Sequence, residues 1–165
     1  MDNSAKLDKW NAVKKSIDTQ NFKKQVEIQS IYWISIGQNV GSEVFGKGKD
    51  FARPVLVIKV FYNHTFLGIP LTSKTQNKRG KFYFKFKDSK DRLQVALLAQ
   101  MRTFDTKRKA NYISKISDEN LSSLKRKFKV KFWSKIPPLK DGETCSCEQA
   151  KSLIAERKRA NCSTK

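Results

Sequence analysis

Between residues 27 and 101 five short runs rich in β-branched and aromatic residues follow one another: EIQSIYWISI, RPVLVIKVFY, TFLGIPL, KFYFKFK and QVALLAQM. Runs of this length suit strands, and several in succession joined by turns predict a small, curled, mostly antiparallel sheet or partly open barrel. In the fourth run Phe82, Phe84 and Phe86 alternate with Lys81, Lys85 and Lys87, so one face is assigned to the core and the other to solvent or phosphate. Asn63 and His64 are placed in a tight turn between the second and third runs. The first and second are joined by GQNVGSEVFGKGKDF, whose Gly37, Gly41, Gly46 and Gly48 suit a mobile loop. Pro54 lacks a backbone N–H and fits best as the first residue of a strand. The tripeptide ARP therefore marks where this loop enters the sheet, and it sets the permanently charged Arg53 at a rim.

Helical patterns flank the strands, which makes the fold class α+β. Leu7, Trp10, Val13 and Ile17 form the stripe of an amphipathic helix before the first strand. After the last strand, Ser117 is the expected N-cap of a helix with Asp118 and Glu119 in its first turn. Its buried stripe is Leu121, Leu124, Phe128 and Phe132, and it ends at Pro137 and Pro138. A last short helix is expected from Ser146, where Ser146 and Gln149 have capping-box spacing. Three segments follow: a helical extension over 1–25, a main domain over 26–136, and a basic, cysteine-bearing tail over 137–165.

Charge narrows the choice of partner. Thirty-five Lys and Arg against fifteen Asp and Glu leave +20 in 165 residues, a self-repelling balance that points to a polyanion such as nucleic acid. The segment from Lys74 to Lys135 alone carries +14. No apolar run approaches a membrane span and the N-terminus has no signal-peptide core, so a cytoplasmic protein with no membrane partner is expected. Cys145, Cys147 and Cys162, with a single remote His64, make neither a disulfide framework nor a convincing zinc site. The chain also lacks a GxxxxGK[ST] loop, a dinucleotide fingerprint, HExxH and an acidic cluster for magnesium, so no metal and no cofactor is assigned. What remains is Arg, Thr, Ser and Lys chemistry. These groups can bind and polarise a phosphodiester, and RNA carries its own nucleophile in the ribose 2′-OH.

Two further stretches carry such groups. In GIPLTSKT, Thr72 and Ser73 offer adjacent hydroxyls at a strand end with Lys74 behind them, although taken alone this is an ordinary polar turn. In LLAQMRTFDTKRK, Gln100 and Arg102 follow a buried run and precede a basic patch. The bland alternative there is an exposed Arg102–Asp105 pair, worth at most about 1 kcal/mol. Lys74, Lys78, Arg79 and Lys81 are candidates for tracking an RNA backbone. Tyr32, Trp33 and Phe45 could stack on bases, but aromatic residues in a strand are more often core.

Taken in order, IYWISIGQNVGSE, RPVLVIK, GIPLTS and AQMRTFDTKR resemble the MazF/PemK family of toxins from type II toxin–antitoxin systems, over Glu27 to Phe132. The resemblance implies an SH3-like barrel with flanking helices, usually a symmetric homodimer, acting as a metal-independent, sequence-selective endoribonuclease on single-stranded RNA. It also implies a cognate antitoxin with a disordered acidic tail that lies over the basic groove. The arginine of the family's RPvlV motif and the hydroxyl residue of its PlTs motif are its catalytic pair, and they fall on Arg53 and Thr72, with Ser73 in support. Gln100 and Arg102 fall in the family's QxRtiD motif and are assigned with the lysines to RNA binding. Some relatives carry an acidic residue before that Gln; here it is Ala99, so no Asp base is carried over and the acid–base assignment stays open. The alternative is a non-catalytic nucleic-acid-binding or protein-poisoning module on the same barrel.

Overall fold

The computed structural model describes residues 3–21 and 24–129. The helix α1 (Asn3–Asp18) precedes strands β1 (Ser30–Ser35), β2 (Ala52–Val60), β3 (Thr65–Thr72), β4 (Tyr83–Lys87) and β5 (Leu93–Leu97). Strands β6 (Arg102–Asp105) and β7 (Lys109–Lys115) and the helix α2 (Asp118–Phe128) complete the described chain. The five expected strands are all present, and two more join them, the four-residue β6 and the seven-residue β7. The fifth run differs from its expected extent: only Leu93–Leu97 is extended, and Leu98–Gln100 closes into a 3₁₀ turn. The first strand likewise begins only at Ser30, because Gln29 adopts a positive φ of 70° and gives its N–H to the Val57 carbonyl.

The sheet is antiparallel throughout, in the order β4-β5-β3-β2-β1-β7, with β6 also paired to β3. Strand β3 explains why the expected barrel stays open. Its first half, Thr65–Gly68, lies against β6, whereas its end, Leu71 and Thr72, turns to β5, and β4 and β7 are left as unjoined edges. Side chains of successive residues leave a strand on opposite faces, so the central strands feed two cores. Ile31, Leu56, Ile69 and Leu71 meet Leu121 and Leu124 of α2 on one side, while Tyr32, Ile34, Val55, Val57, Phe66 and Phe104 pack on the other. At Gly68 there is no room for a side chain: a Cβ would fall 2.5 Å from Val55 Cγ1.

Helix α2 begins as expected, with the Ser117 hydroxyl accepting from the Asn120 N–H. Phe128 is half-buried. Phe132, the Pro137–Pro138 stop, the helix expected from Ser146 and all three cysteines lie outside the described residues. The stripe expected on α1 is thinner than its spacing suggests: Trp10 is buried, Val13 and Ile17 are half-buried, and Leu7 is exposed. Trp10 seals the base of the loop between β1 and β2, its ring 5.6 Å from that of Phe51 and under the Arg108 guanidinium at 5.5 Å.

Candidate active site

The end of the β2–β3 pair positions the two motif residues. Val55 pairs with Pro70, and extending this register by two residues sets Arg53 across from Thr72, beyond the last paired position where the two strands diverge. Pro54 is the third residue of β2, opposite Trp33, so the strand begins two residues earlier than the proline rule places it. Thr72 pairs instead with Val95 of β5. Two adjoining clefts open on this divergence. One of about 470 Å³ is bordered by the β1–β2 loop, Lys78, Phe82 and Gln100. The other, of about 420 Å³, is bordered by Trp33, Pro54, Ser73, Arg92 and Leu93. Arg53, Thr72, Lys47 and Lys74 line both, so the catalytic candidates form the ridge between them.

Both groups are held by main-chain contacts that leave their reactive ends available. Arg53 is half-buried and gives its Nε–H to the Phe45 carbonyl at 2.9 Å; its two terminal nitrogens bond to no other described residue. Burial lowers the Arg53 pKa from its ordinary value, yet a guanidinium remains cationic at any physiological pH. The Thr72 hydroxyl accepts from the Lys74 N–H at 3.2 Å, which leaves its own proton to donate. A forked cation and a hydroxyl donor at the head of two cationic clefts can bind a phosphodiester and take up charge on its oxygens.

The remaining candidates divide. Ser73 lines the second cleft, Lys78 and Gln100 the first, and Lys74 both. Gln100 also braces the loop, its Oε1 accepting from the Val44 N–H at 3.3 Å. Lys78 and Lys81 lie over the rings of Tyr83 and Phe82 at 5.3 and 5.0 Å; Arg79 is exposed, and neither Arg79 nor Lys81 lines a cleft. Arg102 points elsewhere. It donates to the Ile36 carbonyl at 2.8 Å and stacks on Phe104 at 4.9 Å, and Asp105 caps the Lys107 N–H instead of pairing with it. Of the aromatic candidates Tyr32 is core, while Trp33 and Phe45, each 42% exposed, face the clefts.

Residues the sequence did not assign to the site also border it: Lys47, Glu43 and Arg92, together with Phe82, which was expected on the core face but is 38% exposed. Glu43 is the one carboxylate lining either cleft among the described residues. A glycine-rich loop with no periodicity gave no signal for Lys47 or Glu43, and the alternation that set Phe82 on the core face fails there because β4 begins only at Tyr83. No group of three or more His, Cys, Asp or Glu that could hold a metal ion occurs among the described residues. No described helix is long and apolar enough to cross a membrane.

The fold is similar to that of solved MazF structures. The crystal structure of MazF (Form-I) from Deinococcus radiodurans aligns with a TM-score of 0.52 at 20% identity, over 65% of this chain and 96% of that one. MazE-MazF (Form-II) from the same organism aligns at 0.50 and 18%, over 66% and 95%. No curated protein sequence matches. Residues 27–132 match the model of the PemK-like, MazF-like toxins of type II toxin-antitoxin systems, and the chain belongs to this family. Helix α1 lies ahead of the matched segment.

Proposed function

We propose that this toxin is an endoribonuclease that cleaves single-stranded RNA at the ridge between the two clefts. The observation that carries the proposal is the meeting of Arg53 and Thr72, nineteen positions apart in the chain, at the head of clefts also lined by Lys47, Lys74 and Lys78. The ribose 2′-OH attacks the adjacent phosphorus, the P–O5′ bond breaks, and the products carry a 2′,3′-cyclic phosphate and a 5′-OH. Arg53 holds the phosphate oxygens through its terminal nitrogens, and Thr72 donates to one of them with Ser73 beside it. Glu43, the carboxylate lining the first cleft, accepts the 2′-OH proton, and O5′ takes up a proton from water as it leaves. No step is routed through a metal ion.

Lys74 and Lys78 hold the backbone without regard to sequence, and Phe45, Phe82 and Trp33 offer faces for unpaired bases. Arg79 and Lys81 extend the positive field, and Gln100 holds the loop that Val44 and Phe45 belong to. Arg102 fits a structural role better than RNA contact. An antitoxin with an acidic tail, bound over the same clefts, is the expected restraint, and a homodimer in the cytoplasm the expected form. Digestion of RNA in excess EDTA tests the activity: discrete fragments with cyclic phosphate ends support it, whereas retention of RNA without cleavage marks a binding module instead.

A further inference from the structure

Beside the catalytic clefts the chain gathers cations that the proposed reaction leaves unused. Lys24, Lys107, Arg108 and Lys109 line a cleft of about 490 Å³ between α1 and the β1–β7 pair, against one carboxylate, Asp50. Main-chain oxygens fix them in place. Lys24 Nζ donates to the carbonyls of Lys107 and Lys109 at 3.1 and 2.7 Å, and Lys107 Nζ to that of Asp18 at 2.9 Å. Arg108 donates to the Ser35 carbonyl at 3.0 Å, and Lys109 Nζ to the Gln25 carbonyl. A carbonyl orients a cation without cancelling its charge. Burial lowers the pKa of Lys24, and repulsion from Lys109 adds to it; burial also lowers that of Arg108, against the opposing pull of Asp105. Like charges collected in this way favour an anion between them.

The cleft adjoins the second catalytic cleft. Trp33 and Ala52 line both it and the second catalytic cleft. Ile34 of β1 pairs with Arg53 on one side and Lys109 on the other, so those two Cα atoms lie two strand spacings, about 10 Å, apart. Val13, Ser16 and Ile17 of α1 form the far wall, so the groove depends on a helix that the family-matched segment does not include.

We propose that this groove is a distal RNA-binding site: an RNA whose scissile phosphate lies at Arg53 runs past Trp33 and lays the backbone of its outlying nucleotides on Lys24, Lys107 and Lys109. The proposal rests on the ribonuclease activity above. RNA is favoured over an acidic peptide because the groove adjoins the catalytic cleft and the exposed Trp33 ring, which lines both, offers a base-stacking face between them.

Binding is measured on Arg53→Ala protein, which keeps the substrate intact, with unstructured RNAs of about five and about fifteen nucleotides over a range of KCl concentrations. The longer RNA should bind more tightly and with the steeper salt dependence. Replacing Lys107→Gln and Lys109→Gln together should reduce that slope by about 0.7 for each phosphate no longer engaged and leave the short RNA unaffected. Asn111→Lys, at an exposed position on the lining, should tighten the long RNA alone, a gain that misfolding cannot imitate. Equal loss for both lengths, or no gain from Asn111→Lys, overturns the proposal. So does a double variant that binds RNA normally but has lost affinity for oligoglutamate, which would make the groove a peptide site. If the natural chain neither binds nor cleaves either RNA, the ribonuclease activity itself is wrong; if the natural chain cleaves RNA but length brings no advantage, the distal site alone is wrong.

Discussion

Asp88 is a buried carboxylate that accepts five hydrogen bonds: from the N–H groups of Lys90 and Arg92, from Nε and Nη2 of Arg92, and from the Ser114 hydroxyl. Burial alone would raise its pKa, but the bonds from Arg92, Ser114 and the main chain prevail and hold it below the usual carboxylate range. The network ties the β4–β5 turn to β7 and fixes Arg92, which lines the second cleft. Removing the carboxylate should cost about 1–3 kcal/mol, less than for a fully buried pair because the Arg92 side chain is 46% exposed. A folded pKa below the unfolded one stabilises the protein above the unfolded value, and that contribution is lost as pH falls through the folded value. Denaturant titrations of the natural chain and Asp88→Ala should therefore differ at neutral pH and converge in acid; a pH-independent gap would contradict the assignment. Nothing in the alternation of KFYFKFKDSKDR distinguishes Asp88 from its exposed neighbours, because one of its partners, Ser114, comes from a strand twenty-six residues away. Arg53 and Thr72 were legible because a proline, a strand end and the motif resemblance mark them locally. Trp33 and Tyr32 were not separable, since adjacent strand residues differ only in the face they take and sequence does not say which face is covered.

Among the elements, α1 packs on the rest of the fold through Trp10, a contact that can be tested. Gly37 has φ +96°, and a Cβ there would lie 2.4 Å from Trp10 Cε2, so the indole sits directly on the glycine. Gly37→Ala combines backbone strain with a clash and should release the helix. Hydrogen exchange should then rise in α1 and in the loop over residues 37–51 while the amides of β1 to β3 keep their protection; loss of protection across the whole sheet would show that α1 is part of the core. Trp10→Ala should behave alike, with a cost of at most about 3–5 kcal/mol and less where α1 melts separately. The strands that sequence did not reveal were β6 and β7. Strand β6 has four residues, too few for a period to show, and in β7 bulges opposite Ile31–Tyr32 and Tyr32–Ile34 break the alternation, leaving Tyr112 exposed and Ile113 and Ser114 both buried. The apolar run LQVALLAQ failed differently: strand and turn look alike in a short hydrophobic stretch, and only its pairing with β4 and β3 decides where extension stops.

For the molecule as a whole, +20 was the most legible property and its location the least. Composition predicts a polyanionic partner, but not that the cations divide between two clefts around Arg53 and a third beside α1, because that division depends on strand order. RNA affinity should fall steeply with salt, with a slope of about −0.7 per phosphate engaged, and a salt-independent affinity would mean that the charge serves something else. The account rests most directly on the guanidinium of Arg53. The decisive measurement is the rate of RNA cleavage in excess EDTA by the natural chain and by Arg53→Ala, each shown by circular dichroism to be folded. A loss of about 10²- to 10³-fold in the variant is predicted; cleavage that continues undiminished without Arg53 would contradict it.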